Sequence, residues 1–458
     1  MSLFASLTTA ITGLDAQQDA IANISDNISN AQTIGFKEID TTFQNLVTDS
    51  TPQLNQPGGV TSQPLYENNV AGNLTPSAVT TNLAISGTGF FQVKAPPAAV
   101  AQGQTPVFPE QNLYTQAGDF TLNAQGYLVN SAGYYLTAYP VTDPQTKTVN
   151  TSTTVPIQVS QLVNAPVATA NLNLAANVPS SYPLSTIPGP PVAANPAYVA
   201  PSPITEQVYD ATGAAQTETI QFNHTAADTW TATITSPNDT ITSATPAVLQ
   251  LNFSDGTNPA FPAGTLVSMT NISGGPPPAI TIPAAAANGA ATFSLTQNFG
   301  SGAQTLNFNF GTYGTASGVT QYADSAVTVQ SVTQDGTPRG SFENLTIDQN
   351  GFVNLNYTNG QSLAFFQIPV AQFNDPDQLQ RLQGSAFSST IDSGSPELNP
   401  PGVNGGGTIA PSTLEQSNVD IATQFTQLIT AQQVYTANSK VITTADQLLS
   451  TVIALIQG

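Results

Sequence analysis

The chain has 458 residues, of which 40% are hydrophobic and only 7% are charged, and its six basic and 27 acidic residues give a net charge of −21. Nucleic acids and anionic membranes require clustered Lys and Arg, so this composition excludes both as partners. Without Cys, and with His224 as the single histidine, disulfides, thiolate metal sites and multi-histidine sites are excluded as well. No apolar run reaches the length of a membrane span.

The first predicted element is a helix that ends near Gly35, a residue that tolerates the left-handed turn at helix ends. Its apolar positions recur every seven residues, as in a coiled coil: Leu7, Leu14, Ile21 and Ile28. The segment has no basic residues ahead of an unbroken apolar block. We therefore expect no cleaved secretory signal at this end.

The middle of the chain, from about residue 51 to 410, is rich in Thr, Val, Asn, Gly and Pro. Short alternating runs such as TETIQFNH and TWTATITS predict antiparallel strands in several small β domains. Segments 120–129 and 345–355 each predict a tight hairpin, with Gly126 or Gly351 at positive φ. Three Pro-rich stretches predict connections or surface loops: 179–203, 274–291 and 393–407.

Six side chains in these β segments invite a specific interpretation. Trp230 is predicted to be a core residue, whereas His224 is predicted to be exposed at a strand end. Phe90 and Phe91 are assigned to a β-domain core in preference to a contact between subunits. Asp375 and Asp377 could imitate a glycosidase pair, but solvation of a loop explains them better.

The last predicted element is a helix that begins near Ser417, which could form a capping box with Asp420; Ser412 with Glu415 is a second possible box. Six consecutive apolar positions are spaced by seven: Ile421, Leu428, Tyr435, Ile442, Leu449 and Ile456. Three residues after four of these positions come Ala431, Asn438, Ala445 and Val452. Mostly small residues at such positions let two helix backbones approach closely.

The remaining faces of both helices are polar but nearly uncharged, with only Asp15, Asp19 and Asp26 in the first thirty residues. Freely solvated coiled coils usually carry many Glu and Lys residues. An uncharged face is expected where helices touch identical neighbours, because repeated like charges would repel. An intramolecular helical hairpin in a monomer is the alternative.

Four segments together resemble the flagellar hook and rod protein family. They are ITGLDAQQDAIANISDNISNAQTIGFK (11–37), NLAISGTGFFQV (82–93), YTQAGDFTLNAQGYLVNSAGYYLTAYPV (114–141) and LEQSNVDIATQFTQLITAQQVYTANSKVITTADQLL (414–449). The residues that carry the resemblance include Gly35, Phe36, Lys37, Gly87, Gly89, Phe90, Phe91, Gly126, Asn418 and Asp420. One departure is Gln116-Ala117, where relatives commonly have a basic residue followed by an acidic or polar one, so any salt link made there is in doubt.

The resemblance implies a mixed, mainly β fold in which paired, coiled-coil-like terminal helices flank a shared β domain with one or two inserted antiparallel β domains. The expected divisions are a helical domain (1–35 with 414–458), connecting segments (36–72 and 393–413), the shared β domain (73–148 with 328–392) and the insertion (149–327).

The function implied is that of a structural subunit without cofactor, metal or catalytic residues, and the long insertion favours a hook subunit over a distal rod protein. An exported adhesin or filament protein is the alternative of another class. The helical stripes are expected to form the core of a hollow, flexible homopolymer that joins motor to filament. Expected partners are the rod, hook-cap and hook–filament junction proteins, and the type III export apparatus with its chaperones.

Overall fold

The structure is a computed structural model that describes residues 3–46, 58–97, 106–159, 164–187, 193–240, 246–273, 280–283 and 288–457, with side chains described from 6 to 453 in the terminal helices. It is mainly β, with one helix near each end: α1 (Leu3–Ser29) and α2 (Ile421–Gln457). At 1.5 Å per residue, α1 is about 40 Å long and α2 about 55 Å. Parts of the Pro-rich stretches 179–203 and 274–291, and the side chain of Ile456, lie outside the described residues.

Between the helices, the described chain contains many short strands. After α1 come β1 (Ile39–Asn45), β2 (Val60–Tyr66), β3 (Leu74–Pro76), β4 (Leu83–Ser86), β5 (Phe90–Lys94), β6 (Leu113–Thr115), β7 (Thr121–Leu122), β8 (Leu128–Val129), β9 (Tyr135–Asp143), β10 (Thr148–Val149) and β11 (Val155–Pro156). The next strands are β12 (Asn171–Asn177), β13 (Thr186–Ile187), β14 (Ala193–Ala194), β15 (Ile204–Tyr209), β16 (Ala215–Ala226), β17 (Thr229–Thr235), β18 (Ala247–Phe253), β19 (Leu266–Asn271), β20 (Ile280–Thr281), β21 (Ala290–Asn298), β22 (Ala303–Thr312), β23 (Val319–Thr320) and β24 (Thr328–Gln334). The last are β25 (Phe342–Ile347), β26 (Phe352–Tyr357), β27 (Ser362–Gln367), β28 (Val370–Gln372), β29 (Gln380–Leu382), β30 (Ala386–Ser388), β31 (Glu397–Asn399), β32 (Thr408–Pro411) and β33 (Thr413–Glu415), with a 3₁₀ turn at Pro376–Gln378.

The chain divides into two compact units. The terminal unit comprises Met1–Gln161, Glu343–Asn356 and Ser362–Gly458, and the middle unit comprises Leu162–Phe342 and Tyr357–Gln361. The terminal unit is therefore built from both ends of the chain.

The terminal unit contains a branched sheet whose main path runs β25-β26-β27-β9-β5-β6-β30-β29. Phe90 and Phe91, at the start of β5, are both buried, as predicted for core residues. Phe90 packs edge-on against Phe387 with 5.4 Å between ring centroids, and Phe91 packs edge-on against Phe120 at 5.7 Å. Pairing of β3 with β33 and of β4 with β32 joins the segment after α1 to the segment before α2.

Both predicted hairpin turns form, and they share one geometry. The side-chain oxygen of Asn123 accepts hydrogen bonds from the amides two and four residues later, at 3.0 and 2.9 Å. Asp348 does the same at 3.0 Å each. Gly126 and Gly351 follow with φ of +81° and +80°. Turn chemistry alone therefore accounts for the similarity between the two segments.

The described part of the middle unit contains two large sheets that share one hydrophobic core, and a separate two-stranded sheet of β13 and β14. Strands β15 to β19 form an antiparallel sheet in chain order, and the other sheet has the order β20-β21-β22-β12-β23, with β24 also paired to β12. The expectation of antiparallel inserted domains is corrected at β12 alone, which runs parallel to β22 and β23. One continuous cluster of buried side chains draws on both sheets, so the described insertion folds around a single core.

The inner face of β16 explains one wrong prediction. Side chains alternate between the faces of a strand, so His224 lies on the same face as Ile220 and Phe222. His224 is 4% exposed, not solvent-facing as predicted. Its ring stacks on the fully buried Trp230 at 4.7 Å, and its Nδ1 lies 2.6 Å from the carbonyl oxygen of Tyr182.

The same alternation buries a carboxyl group. Glu218 is fully buried on the inner face of β16, where Gln297 Nε2 donates to its Oε1 at 2.9 Å. Burial, with a smaller contribution from the charge of Asp239, raises the pKa of Glu218 to about 8. The group is therefore neutral in the folded protein at neutral pH.

This raised pKa predicts how the stability of the middle unit depends on pH. The folded state holds a proton that the unfolded state releases above its ordinary glutamate pKa, so the contribution of Glu218 is complete at low pH and is lost as pH rises through about 8. Each tenfold difference in proton affinity between the two states corresponds to about 1.4 kcal/mol. Urea unfolding, followed by the fluorescence of the single Trp230, should show that Glu218→Gln unfolds at higher urea than the native chain at pH 9. An unchanged difference between pH 5 and pH 9 would contradict the assignment.

Candidate assembly site

The two terminal helices pack antiparallel through small side chains. Asn27 Nδ2 donates to Gln424 Oε1 at 3.1 Å, and fourteen residues earlier on α1 a Cβ on Gly13 would lie 2.8 Å from Asn438 Nδ2. The contact thus moves fourteen residues along each helix in opposite directions. Buried alanines occupy most of the rest of this seam: Ala10, Ala16, Ala20, Ala431 and Ala445.

The mostly small residues predicted at every seventh position of α2 face α1, except near the end of the helix. Ala431 and Ala445 are buried, and Asn438 is half-buried against Gly13, whereas Val452 is 51% exposed. By the register of the seam, α2 beyond Leu448 faces no described residue of α1. The alternative of an intramolecular hairpin is therefore realised in this chain, but it covers only one narrow side of α2.

The large apolar residues of the two predicted stripes flank this seam. Six are half-buried: Leu7, Leu14, Ile21, Ile28, Leu428 and Ile442. Ile421, Tyr435 and Leu449 are 44%, 41% and 38% exposed. Small side chains bring the helix axes close together, which leaves the larger ones at the margins. A role of the stripes in contacts between subunits stays a prediction.

Large apolar side chains are exposed along two edges of α2. One edge contains Ile421, Phe425 and Ile429, and the other contains Val434, Val441 and Leu448. At 100° per residue, Phe425 and Val441 are separated by about 160° around the helix. The edges therefore lie on different sides of α2. Val434 also lines a groove of about 310 Å³ between α1, α2 and β1.

A buried ion pair anchors the two ends of the chain beneath the helices. Lys37 Nζ lies 2.6 Å from Glu415 Oε1, and both side chains are almost fully buried. Lys37 also donates to the carbonyl oxygen of Val70 at 2.7 Å, and the Gly72 amide donates to Glu415 Oε1 at 2.8 Å. Burial lowers the pKa of Lys37, and the carboxylate of Glu415 opposes that shift. Such a pair costs desolvation energy and fixes one arrangement of its neighbours.

Arg381, on β29, binds the segment that follows α1. Its Nη1 donates to the Lys37 carbonyl oxygen at 2.8 Å, and its Nε and Nη2 both donate to Asn68 Oδ1, at 3.1 and 2.9 Å. The guanidinium lies 4.8 Å from the ring centroid of Tyr66. Burial lowers the pKa of Arg381 to about 10, so it stays charged at neutral pH.

A chain of amide and carboxylate groups continues from this anchor into the helical seam. Glu38 Oε1 accepts from Gln424 Nε2 at 2.7 Å, and the Glu38 amide donates to Asn418 Oδ1 at 2.8 Å. Asn27 Oδ1 accepts from the Ile39 amide at 3.0 Å. Burial is the main cause of a raised pKa at Glu38. These bonds tie the last turn of α1 to the first turn of α2.

Two of the glycines that carry the family resemblance are needed because other parts of the chain lie too close to their Cα atoms for a side chain to fit. Gly35 has φ of +66°, and a Cβ there would lie 2.6 Å from the amide nitrogen of Ala117. Gly89 has φ of +137°, and a Cβ there would overlap the side chain of Val370. Gly87 also has positive φ, at +116°. Gln116 is where the sequence departs from the family pattern. Its Nε2 donates to the Gly89 carbonyl oxygen at 2.9 Å, so no salt link is needed to hold this side chain in place.

The start of α2 differs from the prediction. The helix begins at Ile421, and Asp420 caps it by accepting from the amides of Ala422 and Thr423 at 2.8 and 3.1 Å. Ser417 does not cap α2, since its hydroxyl accepts from the amide of Val419. Glu415 belongs to the buried ion pair and not to a capping box with Ser412.

We call the Lys37–Glu415 ion pair and the side chains bonded around it the anchor. The sequence did not identify its members as a connected set, namely Arg381, Glu415, Asn27 and Gln424. The available signal was the rarity of charge, because a chain with only six basic residues places two of them, Lys37 and Arg381, in this one region. Among the described residues no three His, Cys, Asp or Glu side chains form a group that could hold a metal ion. Neither α1 nor α2, as far as they are described, is long and apolar enough to cross a membrane.

Four family models match the chain in the order of its elements. Residues 7–37 match Flagella basal body rod protein, 84–165 match Flagellar hook protein FlgE/F/G D1 domain, 173–337 match Flagellar basal body protein FlaE D2 domain, and 410–455 match Flagellar basal body rod FlgEFG protein C-terminal. Paired terminal helices, an anchored β domain and an inserted β unit thus define a flagellar hook or rod structural protein.

Full-length relatives narrow this class. Flagellar hook protein FlgE of Brucella abortus biovar 1 (strain 9-941) is 31% identical over 460 residues, covering 99% of this chain and 100% of the relative. The same protein of Rhizobium meliloti (strain 1021) is 29% identical over 463 residues, with the same coverage. The crystal structure of Helicobacter pylori flagellar hook protein FlgE2 aligns with a TM-score of 0.48 and 14% identity, covering 75% of this chain and 100% of that chain. The chain belongs to the flagellar hook protein family.

The anchor predicts a strong energetic coupling between its two charges. Either Lys37→Met or Glu415→Gln leaves one buried partner uncompensated and should lower the free energy of unfolding of the terminal unit by about 3–5 kcal/mol. The double variant keeps the acceptor for the Gly72 amide without a buried charge, so it should be more stable than either single variant. Urea unfolding monitored by far-ultraviolet circular dichroism measures this cycle. Additive losses would show that the charges act independently.

Proposed function

We propose that this chain is a structural subunit of the bacterial flagellar hook and that its terminal helices carry the contacts of the polymer. The observation that carries the proposal is the unpartnered apolar surface of α2. Its two edges expose six large side chains in residues 421–448, between 39% and 57% of each side chain. Covering such surface stabilises a contact by about 25 cal/mol per Å², and the gain recurs at every subunit.

The arrangement of the two edges favours an open polymer over a closed dimer. The edge with Phe425 and the edge with Val441 have different sequences and face different directions. A copy that binds through one edge leaves the other free for a further copy. Contacts of this heterologous kind continue indefinitely unless the rotation closes a ring. This supports a helical assembly, with the helices at its core and the β domains outside them.

The anchor suits a part that transmits torque while it bends. Lys37, Glu415 and Arg381 hold the helix ends to the β strands of the same unit through buried, charge-assisted bonds. Force applied to the helices is thereby passed to those strands. Exposed polar, weakly charged strands are compatible with contacts that slide at small cost, so we propose a hollow, flexible universal joint between motor and filament.

The remaining partners follow from this role. We propose that the polymer contacts the rod at one end and the hook–filament junction proteins at the other, with the hook cap present during growth. We also propose that the chain reaches the extracellular flagellum through the type III export apparatus, with chaperones and without a cleaved signal. The relatives are structural proteins, and their full-length match does not favour the alternatives of a distal rod protein or an adhesin.

The exposed edge provides a direct test of polymerisation. The double variant Val441→Asp, Leu448→Asp places two charges on a surface that is apolar and 42% and 57% exposed in the single chain. It should remain a monomer, because an assembled neighbour would have to bury both carboxylates. Electron microscopy and sedimentation of the purified full chain measure this, with the native chain forming short curved tubes.

A matched polar variant and a spectrum separate assembly from folding. The control variant Thr151→Asp, Thr153→Asp adds the same number of carboxylates to the exposed turn between β10 and β11, outside both helices, and should assemble normally. The circular dichroism of both variants should equal that of the native monomer. Tubes from the double variant would refute the assembly surface, and a loss of β signal would show that α2 belongs to the core of the monomer.

A further inference from the structure

The outward face of α1 carries a stripe of negative charge. Asp15, Asp19 and Asp26 are all exposed. At 100° per residue they fall within about 40° of one another, and Asp15 lies about 160° from Gly13, which is in the seam with α2. The stripe therefore points away from the partner helix in the same chain.

The outward face of α2 carries a single positive charge. Lys440 is the only basic residue in either helix, and it is exposed. It lies about 180° around α2 from the buried Ala431, between the two apolar edges. The one carboxylate of α2, Asp446, is about 120° away from it around the helix. Lys440 thus forms an isolated cationic point on the surface that we propose to be the assembly surface.

Neither Lys440 nor Asp15 has a side-chain partner in the described part of the chain. The ion pairs described there are Lys37 with Glu415 and Lys147 with Asp348. Of the acidic stripe, Asp19 already accepts from the Ser62 hydroxyl at 2.5 Å and Asp26 from Asn30 Nδ2 at 2.9 Å. Asp15 is therefore the carboxylate that remains available.

The two groups cannot meet within one chain, because α1 and α2 touch through the faces opposite to them. We propose that Lys440 of one copy pairs with Asp15 of a second copy, so that the outward face of α2 docks against the outward face of α1 in the polymer. The inference rests on the proposed function. With −21 charges on each copy, assembly brings strongly like-charged molecules together, and the pair places the one cation of the helices against their acidic stripe.

A charge-reversal cycle on the full chain tests the pairing. Lys440→Glu should raise the critical concentration for assembly, measured by sedimentation, about five- to tenfold, because an attraction becomes a repulsion. Lys147→Glu is the matched control: it changes the net charge equally but lies on an exposed β loop, and it should change the critical concentration less than about twofold. Asp15→Lys in the Lys440→Glu background should restore assembly. Glu397→Lys in that background restores only the net charge, so it should not restore assembly.

Salt provides an independent readout. The difference between Lys440→Glu and the native chain should shrink as ionic strength rises from about 0.05 to 1 M, since exposed pairs are screened. If Lys440→Glu assembles like the native chain, or if Glu397→Lys rescues as well as Asp15→Lys, the pairing is wrong while hook assembly stands. If the native chain forms no polymer at any concentration, the proposed function itself fails.

Discussion

The close approach of α1 and α2 through glycine and alanine determines what the rest of the terminal unit must do. A seam of small residues gives each helix a precise partner but covers little apolar area. Larger residues such as Phe425 and Leu448 remain outside it. The pairing of the two helices within one chain therefore has a defined register but leaves large apolar side chains exposed. A segment that polymerises requires this combination.

The anchor beneath the helices compensates for that weak burial. Helices that lack packing partners are marginal in water, and here both are held at one end by bonds to strands instead of by a larger core. Lys37 and Glu415 lose their hydration in this site, so they add specificity more than net stability.

The sequence alone predicts the mainly β fold, the two helices, the hairpins at Gly126 and Gly351, and the core positions of Phe90 and Trp230. These follow from local periodicity and turn chemistry. Each terminal helix, however, carries two seven-residue patterns, one large and one small, and periodicity cannot decide which of them meets the other helix. The anchor joins residues up to 397 positions apart, from Asn27 to Gln424, so no local pattern reveals it. His224 was misplaced because the alternation of β16 continues one step beyond the apparent strand end.

The two units illustrate different solutions to stability in one chain. The middle unit buries a continuous core between two sheets, including fully buried Trp230 and even the neutral carboxyl group of Glu218. The terminal unit leaves its largest apolar side chains on α2 exposed and keeps its charges either locked in the anchor or on outward faces. The two units therefore differ in where their apolar surface lies: the middle unit buries it in its own core, whereas α2 leaves part of it exposed.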